Sequence, residues 1–349
     1  MQTNTSLEAK QGDYTSPTHA LDFLDLKLLN CILITIPCSF LTLLDLFANV
    51  VNIRVFVDQG LNSSIEISFF TIALTDLVRV VFVPFELFCI SSYVDESALS
   101  VKLIEFYYVV ITWPMNCVIR TSLHVTVYTT LERCFCVLFP LQIKSIITKK
   151  TTTVVIGCIV AVNGLTLYPI YSTIYLSWNV YPKINRTLLG LGFLKDKTEP
   201  LRINYVLHIV LTVLPLGLLV ILTSLLVSHL YANRKWRLQN SATAQARKAS
   251  LSSRDIKSIR LVTVVAALVV SCYLPVVTIV LACFFIPDLN FNGKYDTVIP
   301  YLFAMVIVSL SMSSIVSTSI YFKMSTNYKN AFMRLFYPPT AAKVIASQR

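Results

Sequence analysis

The side chains able to do chemistry in this chain are ionisable groups set inside long apolar stretches. Glu132 and Arg133 stand together near the end of one stretch, just before a basic loop begins, and Asp76, Arg79 and Glu86 lie within another. Charges in such places are costly in a membrane unless they pair, reach water or bind a ligand. The pattern therefore indicates an ion-pair switch and a ligand or ion site. No Gly-rich phosphate loop, metal-spaced His/Cys cluster or nucleophile elbow is present in the sequence, and we predict that the chain is not an enzyme.

The elements that carry these groups are membrane helices. The chain has 349 residues, a mean hydropathy of +0.69, 55% hydrophobic and 13% charged residues. A bilayer core requires about 20 apolar residues per helix. Seven stretches are long enough, at 28–57, 65–90, 103–137, 152–175, 204–232, 257–285 and 298–323. They do not alternate as barrel strands do, so we predict an all-α integral membrane fold, a seven-transmembrane helix bundle.

The segments outside the bundle are short. Residues 1–27 form a polar extracellular tail, and 337–349 a cytoplasmic tail. Apolar residues at i, i+3, i+4, i+7 and i+8 from Tyr328 predict an amphipathic helix over 325–336 that lies on the inner leaflet.

The charge distribution sets the orientation. The net charge is +11, and about 18 of the 29 Lys and Arg residues fall on one side of the membrane against about 9 on the other. The basic side faces the cytoplasm, which predicts an outside N-terminus and an inside C-terminus in the plasma membrane. The excess charge then reports contact with inner-leaflet lipids and not with nucleic acid. The sequons at Asn4 and Asn185 fall outside and are candidate glycosylation sites.

One stripe of the second segment holds Asp76, Arg79 and Glu86, spaced so that all three face the bundle interior. Asp76 and Arg79 are neighbours on it, and we interpret the stripe as an internally neutralised network or a switch. Asn49, in the first segment, needs a partner on another helix.

The third segment places Arg120 about 20 Å from Arg133 along the helix axis. Arg120 therefore lies in the outer half of the membrane, where a cavity, a counter-ion such as Glu86 or an anionic ligand group would hold it. In the sixth segment Pro275 removes a backbone hydrogen bond and predicts a hinge. Asp255, 20 residues earlier, falls at the level of Arg133.

Motifs in chain order resemble those of rhodopsin-like (class A) G-protein-coupled receptors. They are Asn49, Ala73 and Asp76, Glu132-Arg133-Cys134, Pro215, Cys272-Tyr273-Leu274-Pro275 and Tyr321. Residues 28–336 carry the resemblance. More narrowly, the run 131–148 with Trp113-Pro114, the run 321–325 and Phe336-Tyr337-Pro338-Pro339 look like divergent chemosensory or peptide-type receptors of gastropod molluscs.

The resemblance implies roles for several residues. Arg133 would be held by Glu132 and Asp255 at rest and released towards a heterotrimeric G protein, with Cys134, Pro275 and Tyr321 in the switch. Asp76 and Ser122 match the family's sodium pocket, next to Ser313 and Ser317, so Na⁺ is the one ion implied and no other cofactor is expected. Met115 and Ser311 replace the residues that bind biogenic amines and retinal, which disfavours both ligands.

The chain also departs from the family pattern. The seventh segment has Ser317-Thr318 where a proline usually precedes Tyr321. The disulfide between the third helix and the second extracellular loop is absent, because Tyr108 stands at the helix position and the loop 172–202 has no cysteine.

We expect an extracellular ligand, a short peptide or a polar chemosensory molecule, to bind among the outer halves of the helices. The expected contacts are Glu86, Met115, Asn116, Arg120, Tyr273, Val276, Val277 and Val280. Two alternatives stay open. An ion channel or transporter would line its path with the intramembrane charges, and an atypical receptor would bind its ligand without coupling to a G protein.

Overall fold

The computed structural model describes residues 31–90, 99–139, 146–182, 185–194, 198–239, 253–289, 294–295 and 298–336. The two predicted tails and Asn4 lie outside these residues. The main helices, in chain order, are α1 (Ile36–Gln59), α2 (Ser64–Ile90), α3 (Trp113–Leu138), α4 (Lys149–Leu165), α5 (Thr198–Gln239), α6 (Ser253–Phe285), α7 (Ile299–Met324) and α8 (Thr326–Phe336). A two-stranded sheet, β1 (Ile174–Tyr181) and β2 (Arg186–Phe193), connects α4 to α5.

Seven helices, α1 to α7, form the bundle. Six of them, all but α3, are long and apolar enough to cross a membrane by their described residues alone. Helix α3 is less apolar because it carries Arg120, His124, Glu132 and Arg133, and it is placed where those side chains are covered, in contact with α2, α4, α5 and α6. The polar helix is therefore surrounded by other helices, as burial of charge in a membrane requires.

The predicted third segment is not one continuous α-helix. A helical turn, Leu103–Tyr107, is followed by a π-helical turn, Tyr108–Thr112, before α3 begins at Trp113. Pro114 explains the break, because proline has no N–H to donate to the preceding turn. Such π turns are common at functional sites.

The loop between α4 and α5 is an antiparallel hairpin. Its register pairs Ile174 with Phe193 and Tyr181 with Arg186. Asn185, whose glycosylation stays a prediction, is exposed in the turn at φ 49°. We call the end of the bundle with this hairpin the outer end and the end with α8 the inner end, following the charge distribution.

Hydrogen bonds tie the hairpin to the start of the third segment, a few residues before Tyr108. Leu189 of β2 bridges to Val101, with the N–H of Lys102 donating to Leu189 O at 2.9 Å. The Oε2 atom of Glu105 accepts from the Tyr181 hydroxyl at 2.6 Å and from the Leu191 N–H at 2.8 Å. Gly190 makes room for this carboxylate, since a Cβ there would stand 2.5 Å from Oε2.

Helix α8 is held against the inner end of α1. The Tyr328 hydroxyl donates to Asn52 Oδ1 at 2.6 Å, and Asn52 Nδ2 donates to Thr318 Oγ1 of α7 at 2.8 Å. Burial raises the pKa of Tyr328, so its hydroxyl keeps the proton that it donates. Arg334 adds an exposed ion pair with Asp58 at 2.8 Å.

Candidate functional site

The charged stripe of α2 is neutralised from α1. Arg79 Nη2 donates to Asp45 Oδ2 at 2.5 Å, and both side chains are buried. Asn49 donates to Asp45 Oδ1 at 2.7 Å and to Ser314 Oγ of α7, also at 2.7 Å. The sequence predicted that Asp76 and Arg79 are neighbours on the stripe, and in the structure the two interact. The carboxylate bonded to Arg79 is nevertheless that of Asp45, which α1 presents directly to the guanidinium.

Asp76, without a guanidinium bonded to it, lines a small cavity in the middle of the bundle. Ser122 Oγ donates to its Oδ1 at 3.3 Å. Ser313 and Ser317 of α7 and Tyr273 of α6 also line the cavity, which is large enough for a water molecule or a small ion. Four residues that the sequence assigned to one polar network thus meet at one place.

Glu86 lies nearer the outer end on the same stripe. It is 3% exposed, and its Oε2 has no hydrogen-bond partner among the residues that the structure describes. The Tyr107 hydroxyl interacts with the Glu86 carboxyl and lies 3.8 Å from Met115 Sδ. Glu86 and Met115 were both predicted as ligand contacts, and the structure places them in one environment with Tyr107 between them.

Arg120 faces the opposite side of α3. Its Nη2 donates to Thr166 Oγ1 at 2.5 Å, and Nη1 lies 2.9 Å from Nδ1 of His208 on α5. Cys117 Sγ, 3.3 Å from Nη2, completes the contacts. The suggested counter-ion Glu86 is not its partner. Glu86 lies on α2, whereas Arg120 points from α3 towards Thr166 and His208. The ligand contact of Arg120 therefore stays a prediction without that partner.

At the inner end the Glu132 carboxylate joins two helices. Its Oε1 accepts hydrogen bonds from Arg133 of α3 and from Ser64 at the start of α2. The side chain of Glu132 is fully buried, whereas that of Arg133 is 11% exposed. Glu132 thus holds Arg133 at the edge of the inner surface. The backbone of Asp255 belongs to α6, but its side chain lies outside the described residues.

The predicted ligand wall and hinge lie on α6. Val276 and Val277 are buried, Val280 is partly buried, and Pro275 interrupts the backbone hydrogen bonds of the helix. The Tyr273 hydroxyl donates to Ile119 O at 3.0 Å and so joins α6 to α3 just below this wall. Asn116, the remaining predicted contact, is partly buried on α3.

Two other predicted switch residues connect α3 and α7 to their neighbours. Cys134 Sγ lies 3.6 Å from Leu222 O of α5. Tyr321 is buried in an aromatic group with Phe56, Phe69 and Tyr328, with ring centroids 5.6, 4.8 and 5.8 Å from its own. The missing helix 7 proline leaves Thr318 free to bond Asn52, and the inner end of α7 is fixed through α1 and α8.

Several site residues were not found from the sequence. Ser64, Tyr107, Glu105 and His208 carry no motif, and each gains its role from a contact between segments far apart in the chain. The only available signal was indirect. A buried Glu132 or Arg120 needs a polar partner on another helix, but helix spacing alone does not say which one.

Comparison with known proteins decides the family. The family profile described as "Serpentine type 7TM GPCR chemoreceptor Srw" matches residues 37–338. The chain belongs to this family of G-protein-coupled receptors. A relative, the allatostatin-A receptor of Bombyx mori, is 26% identical over 347 residues, which cover 96% of this chain and 88% of that protein.

The receptor is therefore a multi-pass protein of the plasma membrane that binds an extracellular ligand, and it is not an enzyme. The predicted seven-helix receptor fold is confirmed, and the channel and transporter reading is not supported. The narrower resemblances, to class A and to gastropod receptors, stay predictions.

Proposed function

We propose that this receptor activates a heterotrimeric G protein when a short peptide or a polar chemosensory molecule binds between the outer halves of its helices. The family description, chemoreceptor, supports a chemosensory ligand. The Bombyx mori relative is named for one defined ligand, allatostatin-A, which supports a defined ligand for this receptor. The coupling between ligand binding at the outer end and the G protein at the inner end follows from the residues of this chain.

The observation that carries the proposal is the Glu132 cluster at the inner end. Glu132 holds Arg133 and Ser64 together, so α3 and the start of α2 are fixed while the carboxylate keeps both partners. Removal of either partner leaves a buried carboxylate less satisfied, which is costly. The cluster therefore favours one arrangement at rest, and a second arrangement must supply Arg133 with a new partner, the G protein.

Helix α6 connects this cluster to the ligand. Tyr273 is bonded to Ile119 of α3, and Pro275 follows two residues later. A ligand that contacts the wall at Val276 and Val277 can turn the outer half of α6 relative to the inner half at the proline. The ligand must bind the state with the displaced inner half more tightly, because equal affinity for both states shifts nothing.

The cavity at Asp76 fits a sodium ion chemically. Asp76 with the hydroxyls of Ser122, Ser313 and Ser317 supplies the oxygen ligands that hard cations prefer. Arg79 is bonded to Asp45, so its guanidinium does not already satisfy Asp76. A bound ion would add a positive charge beside Asp76 and favour the packed resting state. If so, replacing Na⁺ by N-methylglucamine lowers the melting temperature of the wild type but not of Asp76→Asn.

The proposal is tested by a ligand-library screen in cells that express the receptor with a promiscuous G protein, read as calcium release. We expect agonists that act on the wild type and fail on Arg133→Ala at equal surface expression. Agonists with the same calcium response in Arg133→Ala would remove Arg133 from the mechanism. A ligand that binds the purified receptor with no calcium response through any G protein would favour the receptor that does not couple.

A further inference from the structure

Within the described part of the chain, the interior beside α2 has more carboxyl groups than cations. Asp45, Asp76 and Glu86 face it, and Arg79 is the guanidinium among them, committed to Asp45 at 2.5 Å. Asp76 has hydroxyl neighbours and a cavity. Glu86 has the Tyr107 hydroxyl beside it, and no ion pair with Glu86 occurs among the residues that the structure describes.

The second observation is the unsatisfied oxygen of Glu86. Glu86 is only 3% exposed, and its Oε2 lacks a hydrogen-bond partner within the described part of the chain. Buried carboxyl oxygens are expensive to leave unpaired. A group that donates hydrogen bonds and carries a positive charge is the partner that would satisfy this oxygen best.

Aromatic rings pack around Tyr107, the residue whose hydroxyl interacts with Glu86. The ring of Tyr107 has its centroid 6.4 Å from that of Phe85 of α2 and 6.4 Å from that of Phe303 of α7. Phe106 stacks edge-on to Phe85, again at 6.4 Å. Aromatic faces around a carboxylate attract ammonium and guanidinium groups through their quadrupoles and repel anions. Met115 adds a polarisable sulfur beside the tyrosine hydroxyl.

Tyr107 contacts the Glu86 carboxyl from the segment that precedes α3. It is 2% exposed and lies at the last position of the helical turn Leu103–Tyr107, directly before the π turn that Pro114 causes. A π turn has one residue more than an α turn, so its conversion rotates the residues before it. Rotation of the turn would carry the Tyr107 hydroxyl away from Glu86.

We propose that Glu86 and the rings of Phe85, Tyr107 and Phe303 form the subsite for a positively charged amine or guanidinium group of the extracellular ligand, with Tyr107 as its cover when no ligand is bound. The inference rests on the proposed function and names the ligand class. It also gives Glu86 and Arg120, the two predicted charged contacts, different roles. Arg120 points towards α4 and α5, and its own positive charge repels a cationic ligand group.

The test reads the subsite without a ligand or a G protein. Ala304, on α7, packs in the same buried group as Met115, and the change to cysteine there is small. Full-length Ala304→Cys receptor on cells is treated with two methanethiosulfonate reagents, one carrying a trimethylammonium group and one a sulfonate. Modification is measured as the loss of later labelling by a fluorescent maleimide. The rate of each reagent at residue 304 is divided by its rate with Asn185→Cys, in the exposed hairpin turn, which corrects for the different intrinsic reactivities of the two reagents. The unmutated receptor reports any reaction of native cysteines.

The expected result is a normalised rate for the cationic reagent at least about tenfold above that for the anionic one, as a nearby carboxylate at intermediate dielectric would produce. The ratio should fall towards one in Ala304→Cys with Glu86→Gln. Tyr107→Ala in the Ala304→Cys background should raise both rates, because the cover is gone. An unchanged ratio in the Glu86→Gln variant, or no reaction at residue 304 even with Tyr107→Ala, would overturn the subsite.

A second readout links the subsite to the ligand. Agonists from the calcium screen should carry a positively charged group and lose at least about tenfold in potency on Glu86→Gln, since a charge-assisted hydrogen bond is lost. An uncharged agonist with equal potency on both receptors would overturn the ligand class. Absence of any agonist would count against the proposed function alone, because the reagent rates would still report the charge of the subsite.

Discussion

The sharpest energetic prediction concerns the buried pair of Asp45 and Arg79. Asp45 is fully buried, the Arg79 side chain is 3% exposed, and the two are joined at 2.5 Å. Asp45→Asn keeps the shape of the side chain but leaves Arg79 charged and buried. Loss of one partner from a buried pair costs about 3–5 kcal/mol. Asp76 lies near enough to interact with Arg79, so we expect a cost at the lower end, about 3 kcal/mol.

The chain offers a matched control in its exposed pair. Arg334 and Asp58 are joined at 2.8 Å, with side chains 60% and 34% exposed. Solvent screening makes such pairs contribute about 0–1 kcal/mol, so Arg334→Gln should change stability little. Each variant removes one charge from an ion pair, and the two pairs have similar distances. They differ in burial, so the comparison reports the effect of burial.

The assay is the melting temperature of detergent-solubilised receptor, together with surface expression in cells. Asp45→Asn should melt several degrees below the wild type and reach the surface poorly, while Arg334→Gln behaves as the wild type. Asp45→Asn combined with Asp76→Asn should lose more than the sum of the single losses, because each carboxylate can replace the other beside Arg79. Equal melting temperatures for Asp45→Asn and Arg334→Gln would refute this account of the buried charges.

Three further contacts give predictions. Glu105→Ala should speed amide exchange in residues 186–193, because two hydrogen bonds to a carboxylate, about 1.5–3 kcal/mol each, hold the hairpin; exchange mass spectrometry measures this. Tyr328→Phe should speed exchange in α8 and cost about 1 kcal/mol in melting stability, since it removes the bond to Asn52. Ser64→Ala should raise basal G-protein signalling in a nucleotide-exchange assay, because Glu132 loses one of its two partners.

Each of these has a control in the chain. Glu105→Gln keeps an acceptor oxygen and should protect β2 more than alanine does. Tyr231→Phe removes a hydroxyl from an exposed ring and should leave α8 exchange unaltered. Ser63→Ala does not touch Glu132 and should leave basal activity at the wild-type level. Hairpin protection that survives Glu105→Ala, or a Ser64→Ala receptor as quiet as Ser63→Ala, would contradict the respective assignment.

The sequence was informative where the signal lies within one segment. Apolar length predicted the seven helices, and helical spacing placed Asp76, Arg79 and Glu86 on one inward stripe, which the structure places in the interior. The adjacency of Glu132 and Arg133 needed no tertiary information. In these cases one helix fixes the relative position of the side chains, so a period of 3.6 residues is sufficient.

The sequence failed where the contact depends on how helices are rotated against each other. Asp45 and not Asp76 bonds Arg79, because α1 turns its carboxylate towards α2. Arg120 points to Thr166 and His208 and away from Glu86, although both lie at similar predicted depth. The hairpin bridge at Val101 is likewise a contact between distant segments. Periodicity identifies the inward face of a helix, but only packing decides which neighbour each residue meets.

The central claim, that Arg133 is held at rest and released when α6 moves, is tested most directly by a distance between the inner ends of α3 and α6. Spin labels at Leu138→Cys and Lys257→Cys, both exposed positions, report it by pulsed electron resonance with nucleotide-free heterotrimeric G protein added. We predict that the distance lengthens in the wild type and stays unchanged in Arg133→Ala. Nucleotide exchange catalysed by the receptor with no change in this distance would contradict the account.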